Sequence, residues 1–203
     1  DELHSESPVL IRRKDASNIT FGFSFITPRR FDTVCTSAMA CLNHILTGTM
    51  SSRIFGEARR RGLVYGMSSS INLDESKTSW DFDGEVDEEN AIELFDLIRS
   101  ELIRVLNGNI REKDLKAAKS YCLGRFQMAA QTVGQIADLY AEDYFKSDEV
   151  ENYYKIPDIL RTVDKTEIIE LARELVGSNI FAFVAVGSCE KALINSLAEK
   201  LKL

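Results

Sequence analysis

Histidine is nearly missing from this chain: there are two in 203 residues, His4 and His44. A zinc centre draws several His, Cys or carboxylate ligands together, often with two His at helical spacing. Neither histidine has a second within helical reach, and no H-x-x-E-H or reversed form occurs. Also absent are a Walker loop, a G-x-S-x-G elbow and a dinucleotide glycine fingerprint. The four cysteines (Cys35, Cys41, Cys122, Cys189) form no C-x-x-C pair. A chain of this size needs no disulfide staples, and each cysteine sits among apolar residues, so they read as reduced core thiols of a cytoplasmic-type compartment. No apolar run approaches the ~18–20 residues of a membrane span. Basic surplus is lacking too. Twenty-five Lys and Arg stand against 32 Asp and Glu, a net charge of −7, which argues against nucleic acid and anionic membranes as partners.

What remains has an ordinary globular composition, 44% hydrophobic and 28% charged. The first eight residues, Asp1 to Pro8, read as a linker continuing from something longer and lack the pattern of a signal peptide. Ile19, Phe21, Phe23 and Phe25 alternate with small polar residues, the period of a strand with one apolar face; Pro28 ends it. Asp32 can cap a helix carrying Val34, Ala38, Cys41, Leu42 and Ile45, with Gly48 as its stop. A short helix over about 53–60 follows. Tyr65 to Leu73 and Thr78 to Val86 read as a hairpin, the first placing Tyr65, Met67, Ile71 and Leu73 on one face. Helical spacing then predicts helices over about 91–106, 115–129 and 133–145, and another after the Asp164–Glu167 capping signal. Ile180 to Val186 is a continuous apolar run, expected to be a strand buried on both faces, and a helix over about 190–200 closes the chain. This order suits an α+β fold, a mostly antiparallel sheet with helices packed on one face.

Chemistry-bearing residues are scarce. His44 lies beside an apolar helical stripe and reads as a core histidine rather than a ligand. The carboxylates read as solvated helix faces. One stretch is unusual, Leu46-Thr47-Gly48-Thr49-Met50-Ser51-Ser52-Arg53-Ile54-Phe55-Gly56-Glu57-Ala58-Arg59-Arg60-Arg61-Gly62-Leu63-Val64-Tyr65. Each piece has an ordinary explanation: a helix stop, a serine cap, an arginine-coated helix and a glycine turn into a strand.

Taken together, the stretch resembles a signature of C-terminal halves of the pitrilysin/insulinase family of zinc metallopeptidases, which includes mitochondrial processing peptidase. There, a run close to L-G-G-G-M-S-S-R-L-F leads through an arginine-bearing helix to R-G-L-A-Y. Gly48, Met50 to Arg53, Phe55, Arg59 and Arg61 to Tyr65 match. Thr47 and Thr49 stand where glycines are expected. The resemblance implies the LuxS/MPP-like fold over residues 1–203, as one C-terminal half-domain of a two-half peptidase. It places zinc in the N-terminal half, so that this chain holds no metal and is inactive alone. It assigns substrate and oxyanion contacts to Tyr65 and to Arg59. Arg60 is the substitute, because the Arg-to-Tyr interval is one residue shorter than the family's. The implied partners are an N-terminal zinc-binding half or subunit and a peptide substrate. A lone half is also expected to self-associate. The mitochondrial matrix is the alternative compartment. A non-catalytic scaffold or core subunit of the same fold is the alternative function, and an unrelated α+β interaction domain is a third.

Overall fold

The computed structural model describes residues 8–129, 131–147 and 152–203; His4 and nearly all of the linker-like segment lie outside them. Among these residues, five strands, β1 (Val9–Arg12), β2 (Ile19–Thr27), β3 (Val64–Leu73), β4 (Thr78–Val86) and β5 (Ile180–Gly187), form one sheet of order β1-β5-β2-β4-β3. Every pairing is antiparallel except β1 with β5. Among the described residues, eight α-helices accompany it: α1 (Thr33–Leu46), α2 (Phe55–Arg60), α3 (Ala91–Leu106), α4 (Glu112–Ala129), α5 (Val133–Ser147), α6 (Ile156–Thr162), α7 (Lys165–Gly177) and α8 (Lys191–Lys200). The architecture is the expected α+β fold, a mostly antiparallel sheet with helices.

Alternation in β2 dictates the layering. Ile19, Phe21, Phe23 and Phe25 are buried, whereas Thr20 is exposed and Gly22 and Ser24 are half-buried. The buried rings meet those of the neighbouring strands. Phe23 stacks on Phe82 with centroids 4.7 Å apart, and Phe21 meets Phe95 of α3 edge-on at 5.0 Å; such offset and edge contacts add to area burial. One polar node is built into this layer. Asn43 Oδ1 of α1 accepts from the indole N–H of Trp80 and from Ser69 Oγ, both at 2.8 Å, which ties α1 to β3 and β4. The caps follow the sequence reading. Asp32 accepts from the Cys35 amide at 2.8 Å, and Asp164 from the Glu167 amide at 2.9 Å.

Three points depart from the sequence reading. The strand β5 is not buried on both faces: Phe183 and Ala185 are buried, but Val184 is 44% exposed. Its apolar run is continuous, yet helices cover one face of the sheet only, and periodicity in a short apolar run cannot report that. The edge strand β1 and the helix α6 were not anticipated. The first is only four residues long, and the second follows a 3₁₀ turn over Tyr153–Lys155. The third departure concerns β3. Val64 pairs with Val86 but Met67 pairs with Gly84, so three steps on β3 match two on β4. This bulge breaks the alternation that put Tyr65 on the face of Met67.

The glycines make the packing testable. A Cβ at Gly56 would come 2.4 Å from the Met50 carbonyl oxygen, whereas one at Gly124, inside α4, would meet nothing within 4 Å. Gly124→Ala should stabilise the chain by about 1 kcal/mol through helix propensity. Gly56→Ala should destabilise it, since backbone must move. Equilibrium denaturation of both variants checks the opposite signs.

Candidate functional site

The site is built from the end of α1 to the start of β3. At the C-terminus of α1 the last carbonyls need partners from outside the helix. The amides of Arg53 and Ile54 supply two, donating to Ile45 and Leu46 at 2.8 Å each. Gly48 is required here, because a Cβ would lie 2.8 Å from the His44 Cα. The turn from Thr49 to Ser52 is closed by a 3.0 Å backbone bond and by Ser52 Oγ on the Thr49 carbonyl.

Arg53 then locks this loop to α3. Its Nε donates to Glu101 Oε2 at 2.6 Å and its Nη1 to the Asn109 carbonyl at 2.7 Å. Arg104 donates to the other Glu101 oxygen at 2.7 Å. The Arg53 and Glu101 side chains are only 12% and 7% exposed. Ile54 and Ala58, which follow, are fully buried and orient α2. The short helix α2 ends in a Schellman turn: the Leu63 amide donates to Ala58 at 2.9 Å and the Gly62 amide to Arg59 at 3.1 Å. Gly62 has φ +73°, the left-handed conformation this motif needs.

Here the sequence candidates meet. Arg59, in the last turn of α2, donates from Nη1 to the Val64 carbonyl at 3.2 Å, and its guanidinium carbon lies 5.2 Å from the centre of the Tyr65 ring. The β3 bulge turns Tyr65 outward to 85% exposure, beside Asn18, Glu85 and Asp87. Its hydroxyl makes no hydrogen bond to a described residue. Arg60 points elsewhere, held by both oxygens of Glu57 at 2.5 and 2.8 Å, with Arg61 on the same carboxylate. These two guanidiniums hold the Glu57 carboxyl down at about 2. Arg59 is therefore the arginine brought to Tyr65, and Arg60 is not. What the pair can do is donate. An exposed phenol and a planar cation aim at one patch beside the sheet, able to meet a carbonyl oxygen or a developing negative charge.

His44 plays no part in this cluster. Its ring stacks on Tyr121 of α4 with centroids 4.1 Å apart, and its Nδ1 is buried without a partner among the described residues. Among those residues no three His, Cys, Asp or Glu side chains are grouped to hold a metal ion, and no helix is long and apolar enough to cross a membrane. The described residues therefore offer no ligand set for a zinc ion.

A family model, the peptidase M16 inactive domain, matches residues 1–122. The chain belongs to the peptidase M16 inactive-domain family. Solved structures share its fold. A protease from Helicobacter pylori matches with a TM-score of 0.75 and 14% identity, covering 88% of this chain and 43% of that one. The peptidase M16 inactive domain from Pseudomonas fluorescens gives 0.74 and 16%, covering 90% and 44%. A chain of Complex III2 from Candida albicans gives 0.77 and 12%, covering 96% and 49%. This M16 inactive domain thus spans less than half the length of each of them. No curated protein sequence matches it.

One residue of the M16 domain's site escaped the sequence reading. Glu101 falls on the buried stripe of α3 with Leu94, Ile98, Leu102 and Val105. A carboxylate on an apolar stripe signals a buried cationic partner, and the structure supplies Arg53 in that place. Glu101→Gln should cost about 3–5 kcal/mol by leaving the Arg53 charge buried and unpaired. Replacing Arg53 and Glu101 together by Met and Leu should cost markedly less. Urea unfolding of the single and double variants measures the difference.

His44 supplies a pH test. Burial pushes its pKa below the ordinary value, so the unfolded chain takes up the proton first. Stability is then full above pH ~6.5 and falls as pH drops through that value toward the lower folded pKa. Thermal melts from pH 7.5 to 5 should show this loss in the native protein and a shallower one in His44→Gln. Equal slopes would exclude His44 as the cause.

Proposed function

We propose that this M16 inactive domain is the substrate-gripping, non-zinc half of a zinc-dependent metalloendopeptidase or oligopeptidase, inactive alone. Zinc and the general base belong to an N-terminal half, as a separate domain or subunit. The observation that carries this reading is the convergence of Arg59 and Tyr65: a cation over an outward-turned, unbonded phenol, both held by elements with buried anchors. Simple alternation, which puts Tyr65 on the face of Met67, would make it a core tyrosine. Exposure of 85% leaves that reading without support.

In the assembled enzyme the substrate peptide lies between the halves. Tyr65 donates its hydroxyl proton in a hydrogen bond to the oxygen on which charge develops as the peptide carbonyl is attacked. Arg59 places fixed donors on a neighbouring carbonyl or carboxylate of the peptide and steadies the phenol through its ring face. Zinc, when bound in the other half, supplies the Lewis acid for the attack. The open sheet face also offers an apolar surface for that half. Val9 and Val184 are paired across β1 and β5, each 44% exposed, and Ile11 lies two residues along at 48%. The same surface would support self-association of the isolated chain.

A second reading is a scaffold or core subunit of the same fold, which the likeness to a chain of Complex III2 supports. It gives no reason for Tyr65 to be exposed beside Arg59.

Steady-state kinetics of the two-half enzyme separates them. Tyr65→Phe should lower kcat roughly 10²-fold, with KM much less affected, because the lost bond forms mainly in the transition state. The melting temperature should not change, since the hydroxyl has no partner among the described residues to lose. Unchanged kcat would remove Tyr65 from the reaction and favour the scaffold.

A further inference from the structure

Two of the free thiols are not isolated. Cys41, buried in α1, and Cys122, half-buried in α4, lie with their sulfurs 4.0 Å apart. They are 81 positions apart in the chain, and only the packing of α4 across α1 brings them together. Their environments differ. Cys122 lines the groove between α1, β3 and α4, with Tyr121, His44 and Arg125 around it, so small solutes reach it. Among the described residues, no carboxylate lines that groove. Cys41 sits behind Cys122, with no exposed surface.

We propose that Cys122 and Cys41 form a peroxide-sensitive thiol pair, with Cys122 as the attacked thiol and Cys41 as the resolving one. The electrostatics agree with the geometry. The Cys41 thiol donates to the Cys122 sulfur, and Arg125 adds a positive charge, which together lower the Cys122 pKa; the same contact, and then burial, raise that of Cys41. The thiolate is the reactive form, and a low-pKa accessible thiol beside a resolving one is the arrangement that oxidises reversibly.

The chemistry balances with a hydroperoxide as oxidant. The Cys122 thiolate attacks the terminal peroxide oxygen. The O–O bond breaks, the alcohol or water leaves with the proton, and Cys122 becomes a sulfenic acid. The Cys41 sulfur then attacks the Cys122 sulfur. The S–O bond breaks, and the departing hydroxide takes the Cys41 proton as water. Two thiols and one hydroperoxide give one disulfide, one alcohol (or water) and one water. Bringing the sulfurs from 4.0 Å to the ~2.05 Å of a disulfide is a short closure between packed helices. The bond pins α4 to α1 beside the groove, and a thiol reductant reverses it.

The test uses the full-length protein and hydrogen peroxide at low molar excess. Remaining thiols are capped with N-ethylmaleimide and the protein is mapped by mass spectrometry without reduction. The expected result is a cross-linked peptide pair carrying Cys41 and Cys122, with Cys35 and Cys189 alkylated, and complete reversal by dithiothreitol. Cys41→Ser should stop at a sulfenic acid on Cys122, trapped by dimedone. Cys122→Ser should leave Cys41 reduced at the same dose, and Cys35→Ser should behave as the native protein. The contrast with Cys35 is an internal control, because burial raises that thiol's pKa. Absence of the Cys41–Cys122 link, or Cys122 oxidising no faster than Cys35, overturns the proposal. Circular dichroism of each variant establishes that it is folded.

Discussion

The buried ion pair between Arg53 and Glu101 is the constraint on which the site depends. Taking two charges out of water costs several kcal/mol each, and attraction offsets that only when the remaining donors and acceptors are satisfied. Here they are: Arg53 reaches a carboxylate and a backbone carbonyl, and Glu101 receives Arg53 on one oxygen and Arg104 on the other. Such a pair contributes position more than net stability. It fixes the loop after α1 against α3, so that Ile54 and Ala58 enter the core and α2 leaves at one angle. The direction of Arg59 follows from that angle.

From α2 onward, local backbone chemistry completes the arrangement. Gly62 at φ +73° closes the Schellman turn and feeds the chain into β3. The bulge two residues later is what separates Tyr65 from the core. Without it, strict alternation would give Tyr65 the inward orientation of Met67, and the phenol would be packing material. Instead one extra residue costs a ladder position and delivers a large, amphipathic side chain to the open side of the sheet. Bulges are recurrent means of re-aiming side chains near functional surfaces. The aromatic layer of Phe21, Phe23, Phe82 and Phe95 provides the rigid support that makes such a placement reproducible.

Much of this was legible in the sequence because it rests on local rules. The alternation of β2, the Asp32 and Asp164 caps, the stop of α3 at Asn107 and Gly108, and the hairpin of β3 and β4 all follow from period, capping and turn chemistry. The motif from Gly48 to Tyr65 was visible as a unit, and it brought Arg59 and Tyr65 to attention. Non-local facts were not legible. The burial of only one face of β5 depends on where helices dock, and its apolar run carries no trace of that. The bulge depends on the register of β3 against β4, which periodicity along one strand cannot report. The choice of Arg59 over Arg60 depends on Glu57, which captures Arg60 one turn along α2. The proximity of Cys41 to Cys122 depends on α4 crossing α1, 81 positions later in the chain.

The central proposal is that this fold presents a donor pair to a peptide whose cleavage chemistry lies in another half. Reconstitution tests it most directly. The chain is mixed with a separately prepared N-terminal zinc half, and hydrolysis of an internally quenched peptide is followed by fluorescence. Neither component alone should cleave the peptide, and the mixture should, with a rate that saturates at one-to-one stoichiometry. Full activity of the zinc half by itself, unaltered by adding this chain, would contradict the account.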